Sequence, residues 1–74
     1  MNLAELAATL TQSSLPEDAY SLTGGFPNEA YCIEQSSNGE WHCYYSERGL
    51  RTGLTTFATE EEACEYFFNE YVRD

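Results

Sequence analysis

Two stretches of this chain repeat apolar residues at the spacing of an amphipathic helix. Near the N-terminus, an i, i+3, i+4, i+7 pattern predicts a helix over about residues 2–12, with polar residues and then Pro16 as a typical end. Near the C-terminus, Thr59 followed by Glu62 has the spacing of a capping box and predicts a helix over about residues 60–72. The apolar residues of the first helix are Leu3, Leu6, Ala7 and Leu10. The second helix has an apolar side of Ala63, Cys64, Phe67, Phe68 and Tyr71 and a polar side of Glu61, Glu62, Glu65 and Asn69.

The middle of the chain predicts a β-hairpin. Residues 31–35 and 41–45 are rich in strand-forming residues, and Ser37-Asn38-Gly39 separates them. A two-residue Asn-Gly turn would place the second run's apolar side chains on the face of Glu34. A three-residue loop with Gly39 in the left-handed conformation instead places Trp41, Cys43 and Tyr45 beside Tyr31, Ile33 and Gln35. We favour the second register because it segregates the apolar side chains, and it sets Glu34 opposite His42 on the outer face.

The remaining segments complete an α+β fold. Residues 50–57 predict a third strand, and a two-residue Arg48-Gly49 turn would make an inward face of Leu50, Thr52, Leu54 and Thr56. Residues 16–29 hold both prolines and the Gly24-Gly25 pair, so they predict a connection with a short strand around residues 20–23. We therefore expect one two-layer domain over residues 1–74: an N-terminal helix, a three- to four-stranded antiparallel sheet, and a C-terminal helix packed on one sheet face.

Chain length and aromatic content define the class of protein. The 74 residues exclude a multidomain enzyme, and 42% apolar with 15% aromatic residues is far above what disordered charged chains contain. We assign six aromatic residues to the core: Trp41, Tyr45, Phe57, Phe67, Phe68 and Tyr71. The others cannot all be buried in so small a domain: Tyr44, Tyr66 and some of Tyr20, Phe26 and Tyr31 are left over. Either some of these contact a partner, or the glycine- and proline-containing segment folds over the outer sheet face and covers them.

The charge excludes several partners. Thirteen acidic residues stand against three arginines, lysine is absent, and the net charge is -10. Nucleic acids and anionic membranes are bound by basic surfaces, so we expect neither as a partner. An acidic surface does attract basic macromolecules, although high charge also serves solubility alone.

The residues that usually perform chemistry form no recognisable motif. Cys32, Cys43 and Cys64 are odd in number and lack CxxC spacing, so we expect reduced thiols in a cytoplasmic protein. His42 is the single histidine, and its neighbour Cys43 points to the opposite face of a strand. The glutamates at 61, 62 and 65 lack the glycine-centred loop of an EF-hand. The N-terminus has no basic region typical of a signal peptide, and no apolar run is long enough to span a membrane. We predict no catalytic residue, no metal site and no cofactor.

A resemblance to a known family lies in the C-terminal half. It is carried by residues 41–49, with the sequence WHCYYSERG, by Phe57, and by residues 59–67, with the sequence TEEEACEYF. These motifs resemble small bacterial immunity proteins of polymorphic-toxin and contact-dependent growth inhibition systems, over residues 41–71. The resemblance implies a cytosolic protein that binds and neutralises a cognate toxin, often a nuclease. It implies no shared functional residue, because immunity surfaces vary with the toxin.

These observations predict a non-catalytic inhibitor that covers the basic cleft of a toxin nuclease. The candidate toxin-binding residues on the outer sheet face and its end are Glu34, His42, Tyr44 and Glu47. The candidates in the connection are Glu17, Asp18 and Glu29. The acidic side of the C-terminal helix, Glu61, Glu62 and Glu65, is the other possibility.

Three alternatives stay open. The protein could instead be a nucleic-acid mimic from a phage or mobile element that inhibits a host DNA-binding protein, with carboxylates spaced like phosphates along one edge. It could be a small enzyme or metal-dependent module centred on His42 and the glutamates. Exposed tyrosines could also form a homodimer.

Overall fold

The computed structural model describes residues 1–72 and has the α+β architecture expected from the sequence. Residues 73 and 74, the last two of the expected domain, lie outside the described residues. The elements in chain order are α1 (Leu3–Thr11), a 3₁₀ turn (Glu17–Ala19), β1 (Tyr20–Ser21), β2 (Ala30–Gln35), β3 (Trp41–Glu47), β4 (Leu50–Phe57), α2 (Glu60–Phe67) and a wider π-type turn (Phe68–Val72). Both predicted helices and the predicted hairpin are therefore confirmed.

The sheet is mixed, so the prediction of an antiparallel sheet is wrong for its first strand. The strand order is β1-β2-β3-β4, and only β1 pairs in parallel, with Tyr20 beside Tyr31. Parallel pairing requires the chain to cross back before it re-enters the sheet. Residues 22–29, which we call the strap, make this return, and Gly24 and Gly25 turn it with φ angles of +79° and +88°.

The hairpin register is confirmed. Ile33 lies opposite Cys43, and Glu34 lies opposite His42. Gly39 has a φ of +90° in the left-handed region, and the Ser36 N–H donates to the Glu40 carbonyl at 2.7 Å to close the three-residue loop. The alternation of side chains then separates a helix-side face of the sheet from an outer face.

A β-bulge in β4 overturns part of the predicted inward face. The two-residue turn is confirmed, since Arg48 and Gly49 have φ angles of +52° and +78°. Farther along, however, Gly53 and Leu54 together stand opposite the single residue Tyr44, because Thr52 pairs with Tyr45 and Thr55 with Cys43. The extra residue shifts the alternation by one position. Beyond the bulge, the residues that share the face of Cys43 and Trp41 are therefore Thr55 and Phe57, not Leu54 and Thr56.

Both helices pack on the helix-side face. The Asn2 side chain caps α1 by accepting from the Glu5 N–H at 2.8 Å, and the Thr59 hydroxyl caps α2 by accepting from the Glu62 N–H at 3.2 Å. The apolar residues of the two helices meet those of β2 and β3 in one core, which consists of Leu6, Leu10, Ile33, Trp41, Cys43, Ala63, Cys64 and Phe67. The predicted polar side of α2, including Glu61, Glu62 and Glu65, is exposed as expected.

Candidate protein-binding surface

Glu34 is the centre of a polar cluster on the outer face. Its Oε2 lies 3.2 Å from Arg51 Nη1 and 3.5 Å from His42 Nδ1, and its Oε1 lies 3.4 Å from Arg51 Nη2. The Arg51 guanidinium therefore donates to both carboxylate oxygens, the geometry in which an arginine pairs most strongly with a carboxylate. The Glu34 and His42 side chains are only 18% and 20% exposed. Most of the charge of Glu34 is consequently compensated within the chain.

Aromatic rings hold the guanidinium in place. The Arg51 Cζ atom lies 4.3 Å from the centre of the Phe26 ring and 4.5 Å from the centre of the Tyr44 ring. Both distances are well within the range of cation–π attraction. Because Phe26 belongs to the strap and Tyr44 to β3, Arg51 connects the strap to the sheet.

The strap lies directly against this cluster. The Tyr44 hydroxyl is 2.8 Å from the Gly25 carbonyl and 3.2 Å from Glu34 Oε1, and it donates its single proton to one of them. Burial, followed by the nearby charges of Cys32 and Glu34, raises the pKa of Tyr44. A Cβ atom at Gly24 would come within 2.7 Å of the Glu34 Cβ, so only glycine allows the strap this close. The position of the strap thus depends on Gly24.

The structure corrects the prediction that Tyr44 is an exposed contact residue. Tyr44 does lie on the outer face beside Glu34 and His42, but the strap covers it and leaves it fully buried. The sequence analysis left two alternatives for the remaining aromatic residues, contact with a partner or coverage by the glycine- and proline-containing segment. Tyr44 is covered by that segment, whereas Phe26, which lies in the strap itself, is 60% exposed. Sequence reasoning missed Arg51. The two-residue Arg48-Gly49 turn pairs Arg51 with Ser46, which lies on the same sheet face as Tyr44, so the turn could have indicated that Arg51 belongs to the outer face.

The other predicted contact residues gather at one end of the sheet. Tyr20 pairs in parallel with Tyr31, so the residues before β1 lie at the same end as the residues before β2. The antiparallel strand β3 ends there too, because Ser46 pairs with Ala30. This end, which we call the acidic end, consists of Glu17, Asp18, Glu29 and Glu47. All four are exposed, and among residues 1–72 none of them forms an ion pair.

Among residues 1–72, one cation is present at the acidic end. Arg48 occupies the turn after Glu47, and its N–H donates to the Asn28 side-chain oxygen at 3.3 Å, which ties this turn to the loop that contains Glu29. Its side chain is exposed. Within the part of the chain that the structure describes, the acidic end therefore carries four carboxylates against one guanidinium.

The alternative acidic surface on α2 has partners of its own. The Glu62 carboxylate accepts from the Thr59 hydroxyl at 3.2 Å, and Glu65 lies 4.0 Å from the N-terminal amino group. Glu60, next to this stripe, accepts from the Leu3 N–H at 2.7 Å and links the starts of the two helices. These contacts give part of the α2 stripe a role in the fold.

Tyrosine rings adjoin the acidic end on the helix-side face. The Tyr31 ring lies 4.9 Å from the Tyr45 ring and stacks on the Tyr71 ring at 4.1 Å with an interplanar angle of 19°. All three rings are partly buried. Partial burial, followed by the charges of Glu47 and Glu29, raises the pKa of Tyr45. Tyrosines and free carboxylates therefore meet at this end of the molecule.

Comparison with known proteins finds no matching family model, no matching curated protein and no matching solved structure. Within residues 1–72, no three histidine, cysteine, aspartate or glutamate side chains come together as a metal-binding group, and no pocket is present. The helices of this part of the chain are too short and too polar to cross a bilayer.

Proposed function

We propose that this protein is a non-catalytic immunity protein that binds and neutralises a cognate bacterial toxin in the cytoplasm of the producing cell. The target that suits it best is a basic nuclease, which it inhibits by covering the active site or the substrate cleft. The observation that carries the proposal is the acidic end, where four exposed carboxylates have no ion-pair partner among residues 1–72. The resemblance of residues 41–71 to immunity proteins points in the same direction.

The physical argument concerns competition for cationic groups. A nuclease cleft must contain arginine and lysine side chains in order to hold the phosphates of its substrate. Carboxylates on a folded protein bind the same groups, and a net charge of -10 speeds the encounter with a basic partner. Glu34 contributes less to this attraction than its sequence position suggested, because Arg51 already pairs with it.

The distribution of carboxylates favours this function over nucleic-acid mimicry. A mimic of DNA needs negative charges spaced along an edge, and β4 is the long exposed edge of the sheet. No carboxylate occurs between Leu50 and Phe57, and the only charged residue there is Arg51. The acidic groups concentrate at one end of the sheet, which suits a single cationic patch on a partner.

Co-expression with the neighbouring open reading frame tests the proposal. We expect that frame to encode a toxin whose growth inhibition this protein abolishes, and we expect the purified pair to bind less tightly as salt is added. The test variant removes the acidic end by the changes Glu17→Gln, Asp18→Asn, Glu29→Gln and Glu47→Gln. A matched control removes four exposed carboxylates elsewhere by the changes Glu40→Gln, Glu61→Gln, Glu65→Gln and Glu70→Gln.

The two variants separate a specific surface from total charge. Both variants remove four negative charges, so loss of protection in the first variant alone supports the acidic end as the contact surface. A neighbouring frame that is not toxic, or whose toxicity is unaffected by this protein, would show the proposed function to be wrong.

A further inference from the structure

Part of the helix-side sheet face extends beyond the helices at the acidic end. Tyr31 pairs with Tyr45 and Glu47 pairs with Leu50, so the two tyrosines and these two residues share one face. Leu50 is 66% exposed there, although its register places it on the side that α1 and α2 cover elsewhere. We call this surface the tyrosine face and define it as Tyr31, Tyr45, Glu29, Glu47 and Leu50.

The tyrosine face combines the surfaces of aromatic rings with negative charge. The Tyr71 ring stacks on Tyr31 and fixes its orientation, and the Tyr45 ring leans against Tyr31 at 53°. Glu29 precedes β2 and Glu47 ends β3, so the two carboxylates border the tyrosine pair. The raised pKa of Tyr45, to which the charges of both carboxylates contribute after partial burial, agrees with this proximity. A planar cation fits such a surface better than a neutral group.

The outer face of the same sheet holds a cation by the same combination of groups. There, Arg51 lies over two aromatic rings and pairs with one carboxylate. Arg51 therefore shows within this chain that aromatic rings and a carboxylate from neighbouring segments can hold a guanidinium.

We propose that the tyrosine face is the docking surface for an arginine side chain of a basic partner protein, with the guanidinium against the Tyr45 ring and paired with Glu29 and Glu47. The proposal rests on the proposed function for the class of partner and adds the surface and the recognised group. Charge complementarity selects this occupant over a second copy of the chain, since two copies of charge -10 repel each other.

The first experiment uses a defined probe in place of the unidentified toxin. A synthetic peptide of alternating glycine and arginine is titrated into the full-length protein, and binding is followed by calorimetry and by the NMR signals of the tyrosine rings. We expect the ring signals of Tyr45 and Tyr31 to shift. We also expect the lysine version of the peptide to bind about fivefold more weakly, because an ammonium group lacks the planar stacking and paired donors of arginine.

Matched variants then locate the binding. Replacing both carboxylates, Glu29→Gln with Glu47→Gln, should weaken peptide binding about tenfold, whereas Glu61→Gln with Glu65→Gln should change it less than about twofold. Tyr45→Leu should cause about a fivefold loss, and Phe26→Leu on the outer face should cause none. Arg48→Gln should strengthen binding about twofold, because it removes the cation that lies beside the site among residues 1–72.

Several results would overturn the proposal. Equal losses in the two glutamate pairs would mean that net charge alone attracts the peptide, and unshifted Tyr45 and Tyr31 signals would place the peptide elsewhere. Concentration-dependent dimerisation that Tyr45→Leu abolishes would assign the face to a second copy. The ring signals of the unaltered protein decide the question even if Tyr45→Leu fails to fold. No toxin is used, so a negative co-expression test would remove the proposed function and leave this result standing.

Discussion

The two faces of the central sheet are built from the same strands but are stabilised differently. On the helix-side face, Ile33 and Cys43 pack against Phe67 and the rest of the apolar core. On the outer face, the neighbouring residues Glu34 and Tyr44 bind Arg51 and the strap through ion pairs, hydrogen bonds and cation–π contacts. Apolar burial is nondirectional and scales with area, whereas the polar cluster depends on particular atoms being in place.

This difference explains why a small chain can cover both faces of its sheet. The outer face is covered without a helix, because the strap covers Tyr44 with residues 22–29 alone. A short strap buries little area, so its attachment relies on directional contacts to Glu34, Tyr44 and Arg51. Substitutions on the two faces should therefore have different consequences.

The largest effect is expected on the helix-side face. Phe67→Ala removes a fully buried ring from the core and should lower the free energy of unfolding by about 3–5 kcal/mol. A domain of this size has a total stability of roughly 4–11 kcal/mol, so the variant should be close to unfolded. Urea denaturation followed by circular dichroism measures the loss, and Phe67→Leu should cost clearly less. A loss below about 1 kcal/mol in Phe67→Ala would contradict the assignment of this core.

The next effect concerns the fit of the strap. Gly24→Ala and Gly25→Ala both place a side chain at a positive φ, which costs about 1–2 kcal/mol. Only Gly24→Ala also brings a Cβ within 2.7 Å of the Glu34 Cβ, whereas nothing lies within 4 Å at Gly25. Denaturation should therefore show a further loss of about 1 kcal/mol or more for Gly24→Ala. Equal losses would mean that the strap does not press on Glu34.

A third effect measures the polar cluster itself. Glu34→Gln leaves the partly buried Arg51 without its carboxylate and should cost about 2 kcal/mol. A double-mutant cycle with Arg51→Gln should give a coupling of about 1–2 kcal/mol, since each single change already breaks the pair. The control Glu61→Gln, on an exposed helix surface, should stay within about 0.5 kcal/mol. A cycle without coupling would show that the two charges contribute independently.

The last effect is absent at neutral pH, appears only at alkaline pH, and compares the cysteines of the two faces. Burial raises the pKa of Cys43 from 9.0 to about 12, so the folded protein keeps a proton that the unfolded chain releases above pH 9.0. Stability from this group is complete below pH 9.0 and falls by up to about 1.4 kcal/mol per pH unit as the pH rises towards 12. At Cys32, burial also raises the pKa, but the Tyr44 hydroxyl and the charge of Arg51 partly offset it.

Denaturation at a series of pH values from neutral to well above 9.0 tests this contrast. Cys43→Ala should flatten the alkaline decline in stability more than Cys32→Ala does, because no cation among residues 1–72 offsets the burial of Cys43. For each variant, the change of the free energy of unfolding with pH is measured relative to the same variant at neutral pH. The loss of packing that both substitutions cause therefore does not affect the comparison. Identical changes of the free energy of unfolding with pH in the two variants would show that the thiols of the two faces do not differ in this way.

Local sequence patterns were sufficient to predict the hairpin and both helices: strand-forming runs around a turn for the hairpin, and helical spacing of apolar residues for the helices, with a capping box at the start of the second. Gly39 offered a left-handed position at the only loop length that gathers Ile33, Trp41 and Cys43 on one face, so the register followed from local sequence. The bulge at Gly53 was missed, although a glycine inside a strand is its usual sign. The two-residue strand β1 is too short to show a period, and its parallel pairing depends on the strap.

The candidate site was also predictable only in part, because local sequence patterns determine the hairpin register but not the position of the strap or of β1. Glu34 opposite His42 follows from the hairpin register, and that placement is confirmed. The burial of Tyr44 depends on the strap, and the placement of Asp18 at the same end of the sheet as Glu47 depends on the parallel strand, so neither could be predicted from local patterns. The role of these residues in binding a toxin remains a prediction.

The bulge at Gly53 also affects how β4 behaves as an open edge of the sheet. Exposed edges invite strands of other molecules to add to them, and many proteins block this with a lysine on the edge. This chain contains no lysine, and the edge also exposes Leu54 at 45%. Gly53 and Leu54 interrupt the regular ladder and increase the local twist, so an incoming strand meets no continuous row of partners. We therefore expect the same bulge that shifts the inward face of β4 to hinder strand addition, and with it fibre-like assembly, at this edge.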